Sequence, residues 1–437
     1  MSSKAMKKVD KAVDGVIDVL KKTPLREWWW KNKKKTPFKQ VRKYLGGIHK
    51  EKLYLEWFPA IYNRHSSDPI DEHKVVMIEN ALSGLSNSFQ LIYKDLKASG
   101  DYRIHVHHLG KNLTRAKQHD INGARLANDL GDAKYVFLSE ACDVLSCLPL
   151  REETIVCQLW HGCGAFKKFG RSTADLMFGQ SRAQIEKYPQ YEHYDFVTVS
   201  SPEVVWAYEE AMGLKEKHGI VLPVGVSRTD VFFDQKHLDH AAERVYEVVP
   251  QARGKKVIFF APTFRGKVAT AKTPNYSRFN LELLKEKLGD DVIILIKHHP
   301  IIKDYHIPEM PEEYNGTFAV DVTRMPLSVE DLMITADVCI TDYSSLIFEY
   351  SLLNKPLISY VYDLDKYFDW RGFYYNFDEL SPGQVCRNME ELLHALTLPD
   401  FGYDPERMKE FREKFMSGCD GHSTERIEKL VFGKSLR

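Results

Sequence analysis

The sequence predicts an α/β protein with two doubly wound domains that face each other across a cleft. The chain of 437 residues is too long for one ordinary hydrophobic core. Short apolar runs alternate with segments of helical periodicity, a pattern typical of parallel sheets with helices on both faces. The alternation begins again after residues 252–254, so we expect a second domain there.

Composition and charge exclude several classes of protein. A formal net charge of zero argues against a general nucleic-acid binder, and no nucleic-acid partner is expected. The seven cysteines are odd in number and contain no Cys-x-x-Cys pair, so neither a disulfide framework nor a zinc site is indicated. No stretch approaches about 18 apolar residues, and the N-terminus is too charged for a signal peptide. We therefore expect a cytoplasmic protein that does not span a membrane.

Residues 1–70 form a distinct basic extension. Residues 1–52 contain 16 Lys and Arg against 5 Asp and Glu. Apolar residues between positions 9 and 20 recur at helical spacing opposite lysines, which predicts an amphipathic helix. Trp28–Trp30 beside the lysines of residues 31–35 suits the boundary between acyl chains and anionic headgroups. We expect peripheral contact with an anionic membrane surface, at the inner face of the cell membrane. The alternative is a solvated basic helix pair whose tryptophans pack on the protein's own body.

The first doubly wound domain is predicted over residues 71–240. Its strands are expected at residues 75–78, 103–107, 135–138, 155–160 and 196–199, and its helices at 86–98 and 122–130. Alternation places His105 and His107 on one face of their strand, where no surrounding motif gives them a function, so we interpret them as structural.

The second domain is predicted over residues 250–404, after a junction near residues 230–252. Its strands are expected at residues 256–260, 292–296, 318–320, 338–341 and 357–360, and its helices at 281–288 and 329–335. A charged helical segment over residues 405–437 could pack across either domain. Because ligands bind beyond the carboxyl ends of the strands in such folds, the cleft between the domains is the expected site.

The segment Thr341–Tyr350 is the most informative part of the chain, because of the turn with which it begins, Thr341–Ser345. This turn follows an apolar strand and leads into a helix, so free backbone N–H groups and two hydroxyls, Ser344 and Ser345, meet at the positive end of a helix dipole. Such a turn is a seat for phosphate. The alternative is that these serines only cap the helix.

The loop over residues 158–170 combines a titratable base with cations. His161 follows a predicted strand, and histidine is the side chain best suited to move a proton near neutral pH. Gly162 and Gly164 would let the backbone approach a ligand closely. Lys167 and Lys168 supply positive charge. A structural histidine beside a surface lysine pair is the alternative.

Two further polar clusters follow strands of the second domain. Thr263 and Arg265 lie after the first of these strands and suit a phosphate or nucleotide contact. Lys297, His298 and His299 lie after the next one, where the two histidines should point in opposite directions and His299 outward. No nearby carboxylate completes a metal site there, so a charge-stabilising or proton-transfer role near phosphate is favoured.

Taken in order, these motifs resemble the CDP-glycerol glycerophosphotransferase family, the teichoic-acid enzymes that include the primase and the polymerase of poly(glycerol phosphate). The resemblance covers roughly residues 75–430. The matching segments are Trp160–Gly162 with Lys167, Lys168 and Gly170, then Gly225–Asp230, Ala261–Arg265, His299–Pro300, Thr341–Ser345, and Tyr362–Leu364 leading into Arg371–Tyr374. Two departures bear on the acceptor and on the choice between primase and polymerase. Ser227 stands where the family often has proline, and the loop from His161 to Lys167 is one residue longer than Trp-His-Gly-Thr-Pro-Leu-Lys.

The resemblance implies a GT-B-like fold in which the second domain holds a CDP-alditol donor such as CDP-glycerol and the first holds a lipid-linked acceptor. An acceptor hydroxyl would attack the distal phosphorus of the donor, and CMP would leave. His161 would act as the base, and His299 would stabilise or protonate the leaving phosphate. No cofactor or metal is demanded.

Substrate-binding roles follow from the same resemblance. Ser344 and Ser345 would hold the diphosphate with help from Arg228 and Arg265, and Asp342 would orient a histidine or bind donor hydroxyls. The remaining expected substrate-binding residues are Gly162, Lys168, Thr263, Lys297 and Arg371.

Alternatives of the same fold are a CDP-ribitol ribitolphosphotransferase, a capsule-polymer phosphotransferase and a sugar-nucleotide glycosyltransferase. A non-catalytic, membrane-associated binding protein is an alternative from a different class.

Overall fold

The computed structural model describes residues 46–80, 84–110, 116–174, 176, 179–266, 271–273, 278–299, 302 and 306–436. The chain divides into two units, residues 1–60 and 61–437. The described part of the first unit contains the π-helical turn Leu53–Trp57 and enters the helix Phe58–Tyr62. The predicted amphipathic stripe, the tryptophan triplet and the lysine cluster lie outside the described residues.

The second unit contains two six-stranded parallel sheets, which confirms the α/β prediction. In the first sheet the order is β2-β1-β3-β4-β5-β6. Its strands are β1 Asp71–Glu79, β2 Arg103–His108, β3 Ala133–Leu138, β4 Ile155–Gln158, β5 Phe196–Thr198 and β6 Val221–Leu222. The described helices around it are Asn87–Ser99, Ala116–Asp129, Asp143–Ser146, Arg182–Lys187 and Val205–Met212.

The second sheet has the order β12-β11-β10-β7-β8-β9. Its strands are β7 Lys256–Ala261, β8 Val292–Ile296, β9 Ala319–Asp321, β10 Val338–Thr341, β11 Leu357–Tyr360 and β12 Gln384–Cys386. The described helices of this half are Gln235–Val248, Leu281–Leu288, Val329–Thr335, Leu346–Ser351, Leu364–Arg371, Phe377–Leu380 and Met389–Thr397.

Strand order places the ligand-binding edge of each sheet. The chain changes direction across the sheet between β1 and β3 in the first sheet and between β7 and β10 in the second. Such switch points open a crevice beyond the carboxyl ends of the strands. Thr263 follows β7 and Thr341 ends β10, so two of the predicted motifs flank the second switch point.

The C-terminal segment packs on both domains. The helix Pro405–Phe415 lies on the second domain, where the rings of Phe411 and Phe348 stack with centroids 5.2 Å apart. The helix Ser423–Phe432 contributes Ile427 and Val431 to the core of the first domain. The two helices of residues 405–437 thus pack against different sheets.

The motif Gly225–Asp230 anchors this last helix. The carboxylate of Asp230 accepts hydrogen bonds from the backbone N–H groups of Ser423 at 3.0 Å and Thr424 at 2.8 Å. Gly225 has φ of +90°, and a Cβ there would lie 2.2 Å from the carbonyl oxygen of Gly418. This motif therefore requires glycine at the turn and a carboxylate at the helix start.

Some predicted boundaries are wrong for identifiable reasons. The strand predicted through Trp160 ends at Gln158, because Trp160 takes a left-handed conformation with φ of +59°. Within the predicted junction near residues 230–252 lies the helix Gln235–Val248, begun by the cap Asp234; the domain bounds themselves stay predictions. Strands β6 and β12 were missed, since two or three residues give no periodic signal. In the described parts of the chain, no helix is both long and apolar enough to cross a bilayer.

Candidate functional site

His161 stands on a strained turn directly after β4. The side chain of Gln158 accepts a hydrogen bond from the Trp160 N–H at 3.0 Å, and the Ser88 hydroxyl donates to the Trp160 carbonyl at 2.7 Å. These bonds hold Trp160 at a positive φ, a conformation that is costly for a bulky residue and common at functional sites. The turn leaves His161 at the carboxyl edge of the sheet, open to solvent.

The imidazole of His161 is prepared to accept a proton at Nε2. Its Nδ1 lies 3.1 Å from the carbonyl oxygen of Ser139. Because a carbonyl only accepts, Nδ1 carries the hydrogen and Nε2 is left with its lone pair. The ring is reachable by water yet has protein on most sides, and this desolvation lowers the pKa of His161 below its ordinary value. The histidine is therefore neutral near pH 7, as a general base must be.

The residues that hold His161 in place were not predicted from the sequence. Glu79, at the end of β1, is buried and accepts hydrogen bonds from the Ser86 N–H at 2.5 Å and the Ser139 hydroxyl at 3.0 Å. Burial raises the pKa of Glu79. Glu79 thus fixes Ser139, whose carbonyl fixes His161. A carboxylate that ends an apolar strand was the available signal.

The loop after His161 is held by both domains. From the first domain, the Ser200 hydroxyl accepts the Gly164 N–H at 3.0 Å. From the second domain, the carbonyl of Gly372 accepts the Lys168 N–H, and the Tyr374 N–H donates to the Phe166 carbonyl, each at 3.0 Å. The motif Arg371–Tyr374 therefore pairs with the loop that carries the base. Arg371 itself is the last residue of the helix Leu364–Arg371.

The Thr341–Ser345 turn faces the same loop. A Cβ placed on Gly162 would lie 3.2 Å from Oγ of Ser345. Ser345 makes no capping hydrogen bond, whereas the hydroxyl of Ser344 accepts the Leu346 N–H at 3.2 Å. The capping alternative thus applies to Ser344 only. The structure brings Gly162, next to the base, against the turn expected to hold phosphate.

Arg228 ties the first domain to the second. Its Nη1 donates to the carbonyl of His161 at 2.8 Å. Its Nη2 lies 3.0 Å from Glu330 and its Nε 2.9 Å from Glu349, both carboxylates of the second domain. Burial works against the charge of Arg228, but Glu349 and Glu330 outweigh it and raise the pKa of Arg228. Sequence reasoning found Arg228 and missed both of its acidic partners.

Arg265 is the centre of a second polar network. Its five N–H groups point to Asp363, Asp342 and the backbone and hydroxyl oxygens of Thr263, at 2.8 to 3.0 Å. The guanidinium also lies over the rings of Tyr367 and Tyr343, 4.9 and 5.0 Å from their centroids. Burial opposes the charge of Arg265, but Asp342 and Asp363 raise its pKa. This network joins the loop after β7 to the turn after β10.

Asp342 lies inside that network. It is 2% exposed, and its Oδ1 accepts the N–H groups of Thr263 and Tyr343, each at 2.8 Å. Asp342 therefore shapes the loop that carries Thr263.

Of the two histidines after β8, one is buried and the other is exposed, as the sequence predicts. His298 is 1% exposed, and its Nδ1 lies 2.7 Å from the hydroxyl of Thr273. His299 is exposed, and its ring meets the edge of Phe264 with centroids 5.0 Å apart. Lys297 donates to the Leu327 carbonyl at 3.1 Å, and burial lowers the pKa of Lys297. Of the two histidines, His299 is the exposed one.

The arrangement joins most of the predicted residues into one region. His161, Gly162, Arg228 and Ser345 are connected by the contacts above, and Lys168 lies on the same loop as His161. Thr263, Arg265 and Asp342 form the adjoining network, and His299 reaches it through Phe264. Within the described residues, no group of three or more His, Cys, Asp or Glu side chains is placed to hold a metal ion.

Comparison with known proteins matches residues 60–433 to the family of CDP-Glycerol:Poly(glycerophosphate) glycerophosphotransferases. The chain is 32% identical over 366 residues to the teichoic acid ribitol-phosphate primase of Bacillus spizizenii, covering 83% of this chain and 92% of that protein. It is 31% identical over 288 residues to the teichoic acid glycerol-phosphate primase of Bacillus subtilis, covering 65% of this chain and 70% of that protein. Among solved structures, the wall teichoic acid polymerase TagF superposes with a TM-score of 0.70 at 22% identity, over 91% of this chain and 97% of that chain. This last likeness shows the fold.

Proposed function

Because the chain belongs to the family of CDP-glycerol:poly(glycerophosphate) glycerophosphotransferases, we propose that it transfers an alditol phosphate from a CDP-alditol to a hydroxyl group of a cell-surface polymer precursor. The observation that carries the proposal is the contact between two motifs. The base His161, with Nδ1 fixed by Ser139, is followed by Gly162, which lies against Ser345 in the turn suited to phosphate. A base and a phosphate seat are the two elements that such a transfer needs at close range.

The reaction is an in-line displacement at the distal phosphorus of the donor. The acceptor oxygen forms the new bond to phosphorus, and its proton passes to Nε2 of His161. The bond from phosphorus to the bridging oxygen breaks, and CMP leaves with the electron pair. Charge that builds on the phosphoryl oxygens is met by N–H groups, hydroxyls and cations that are fixed before the reaction.

The binding roles follow the contacts. Ser345 and the N–H groups behind it hold the diphosphate, with Ser344 shaping the turn. Lys168, on the loop paired with Gly372, adds positive charge. His299, the exposed member of its pair, supports or protonates the leaving phosphate. Thr263, Lys297 and Arg371 complete the donor side.

Arg265 and Asp342 take a less direct part in this proposal than the sequence suggested. All five N–H groups of Arg265 already have protein partners. Arg265 and Asp342 therefore shape the donor loops between β7 and β10 rather than supply their charge to a phosphate.

The acceptor is proposed to be lipid-linked, presented at an anionic membrane surface. Support comes from the sequence, where residues 1–52 carry 16 Lys and Arg against 5 Asp and Glu and Trp28–Trp30 precede a lysine cluster. Sedimentation of the full chain with phosphatidylglycerol vesicles tests this. Replacing the lysines of residues 31–35 by glutamine should lower the bound fraction. Equal sedimentation with neutral phosphatidylcholine vesicles would contradict the proposal.

CMP release tests the transferase directly. The full chain is incubated with CDP-glycerol or CDP-ribitol, each with and without a lipid-linked disaccharide or a glycerol-phosphate-primed acceptor. The proposal predicts CMP release that depends on acceptor with at least one donor, and the active donor identifies the alditol. No CMP from either donor, with the protein folded, would overturn the proposal and favour a different nucleotide donor, as in a glycosyltransferase.

A further inference from the structure

We propose that Glu349, supported by Glu330, is a positioning residue that holds the His161 loop in place through Arg228; the proposal rests on the proposed function. Glu349 lies in the segment Thr341–Tyr350 but has no expected role there, and Glu330 lies outside the sequence motifs. Both lie in the second domain and act on a residue of the first.

The contacts form a continuous bridge. Glu349 lies 2.9 Å from Nε of Arg228, and Nη1 of the same guanidinium binds the carbonyl of His161 at 2.8 Å. A guanidinium is planar and rigid, so fixing one edge fixes the other. A shift of Glu349 would therefore move Arg228 and, with it, the backbone carbonyl of His161.

Burial makes the bridge strong. The side chains of Glu330 and Glu349 are each 6% exposed, and that of Arg228 is 14% exposed. Solvent screens such a pair little, and removing one partner leaves an uncompensated buried charge. An exposed ion pair of the same types, such as Arg253 with Glu243, lacks this property.

Glu349 also connects the base to the phosphate seat. It lies four residues after Ser345, on the helix that begins at the turn, and residues at this spacing share a helix face. The same helix presents Phe348 against Gly164 of the base loop. A displacement of the Ser345 turn is thus passed to His161 through one short helix and one guanidinium.

Glu330 contributes the second half of the bridge. Its Oε1 accepts from Nη2 of Arg228 and from the Asn87 amide at 2.5 Å, and both donors belong to the first domain. Its Oε2 is buried and has no hydrogen-bond partner among the described residues. Two carboxylates thus share one guanidinium, and burial raises the pKa of Glu349 to about 6. Among the described residues, Arg228, Glu330, the Cys163 thiol and the Tyr208 hydroxyl are polar groups that interact with Glu349.

The first test is steady-state kinetics of the full chain with Glu349→Gln, which keeps the side-chain volume and removes the charge. We expect kcat to fall about tenfold to a hundredfold while the donor KM stays within about twofold, since a misplaced base slows the chemical step. Glu330→Gln should act in the same direction, and Glu243→Gln is the matched control. An unchanged kcat, or a raised donor KM at unchanged kcat, would overturn the positioning role.

A double-mutant cycle identifies the route. If Glu349 acts only through Arg228, Glu349→Gln should change kcat by less than about twofold in an Arg228→Gln background. Multiplicative effects of the two substitutions would show that Glu349 acts independently of Arg228 and would overturn the proposal.

Amide hydrogen exchange provides a readout that does not depend on the reaction. Exchange at residues 161–168 should be at least severalfold faster in Glu349→Gln than in the unmodified chain or in Glu243→Gln. Equal exchange in all three would refute the bridge even if the enzyme transfers alditol phosphate. Conversely, faster exchange in a chain that releases no CMP would uphold the bridge while the proposed reaction fails.

Discussion

Nδ1 of His161 lies 3.1 Å from the carbonyl oxygen of Ser139, and this bond leaves Nε2 as the proton acceptor. The pKa of His161 is lowered by desolvation, so the ring loses its proton below pH 6.5. As a base it acts when unprotonated, and kcat/KM should therefore rise with pH through a midpoint below 6.5 and stay high above it. A pH–rate profile measures this, and a midpoint above 6.5 would contradict the assignment.

Replacing His161 by alanine should reduce kcat by about two to four orders of magnitude, the contribution expected of a general base. His394, on the helix Met389–Thr397, provides a matched His→Ala control. A folded His161→Ala protein with normal turnover would remove His161 from the mechanism.

Ser345→Ala should weaken CDP binding by about tenfold, the loss of one hydrogen bond to a charged group. Calorimetric titration of the full chain with CDP measures the change. Ser99→Ala is a suitable control, since the Ser99 hydroxyl makes only local bonds: it donates to the Leu96 carbonyl at 2.9 Å and accepts the Asp101 N–H at 3.3 Å. Unchanged CDP affinity in the Ser345→Ala variant would show that the turn only begins the helix and does not bind the diphosphate.

Gly164→Ala should lower the free energy of unfolding by about 3 kcal/mol, from a left-handed backbone and overpacking combined. Gly164 has φ of +64°, and a Cβ there would lie 2.3 Å from the ring of Phe348. Gly254→Ala separates the two causes, because Gly254 has φ of +78° with no atom within 4 Å of its Cβ position. Urea unfolding of both variants tests this. Equal losses would show that the contact with Phe348 is unimportant.

Arg265→Lys should destabilise the protein by about 2 kcal/mol, because lysine cannot replace the five-donor fork. Arg253→Lys, at an exposed ion pair, should destabilise the protein less than Arg265→Lys does. If Arg265 instead serves as a simple charge for phosphate, the lysine variant will unfold like the parent and keep its CDP affinity.

Asp230→Ala should cost about 2 kcal/mol, more than the roughly 1 kcal/mol expected for the exposed cap Asp234→Ala. Asp230 is buried and accepts two N–H groups of the last helix, whereas Asp234 caps its own helix at the surface. Thermal unfolding of the two variants compares them. A smaller loss for Asp230→Ala would show that this helix is held mainly by Ile427 and Val431.

The fold could be predicted wherever local periodicity is strong. Strands β10 and β11 were placed at their observed bounds, since each is a short run of mostly apolar or β-branched residues that follows a helix. The turn at Trp160 was not predicted. Its left-handed tryptophan depends on hydrogen bonds with Gln158 and Ser88, and the pattern of neighbouring residues does not show these bonds.

The residues of the candidate site likewise fall into two groups, those that the sequence could identify and those that it could not. Motif residues such as His161 and Ser345 could be found because their types and spacing are local. Glu79 and Glu349 act through partners many positions away along the chain, and such pairing is not visible in one sequence. A signal existed for Glu349, which is a carboxylate on the buried face of a helix among Leu346, Ile347 and Tyr350.

The transfer of an alditol phosphate with His161 as the base is tested most directly by the mass of the acceptor after reaction. The full chain is incubated with a lipid-linked acceptor and CDP-glycerol or CDP-ribitol, and the acceptor is analysed by mass spectrometry beside a His161→Ala control. We expect the acceptor mass to increase by one or more alditol phosphate units, and the control to lack this increase. An acceptor that gains a sugar, or that stays unchanged while the folded protein binds CDP, would contradict it.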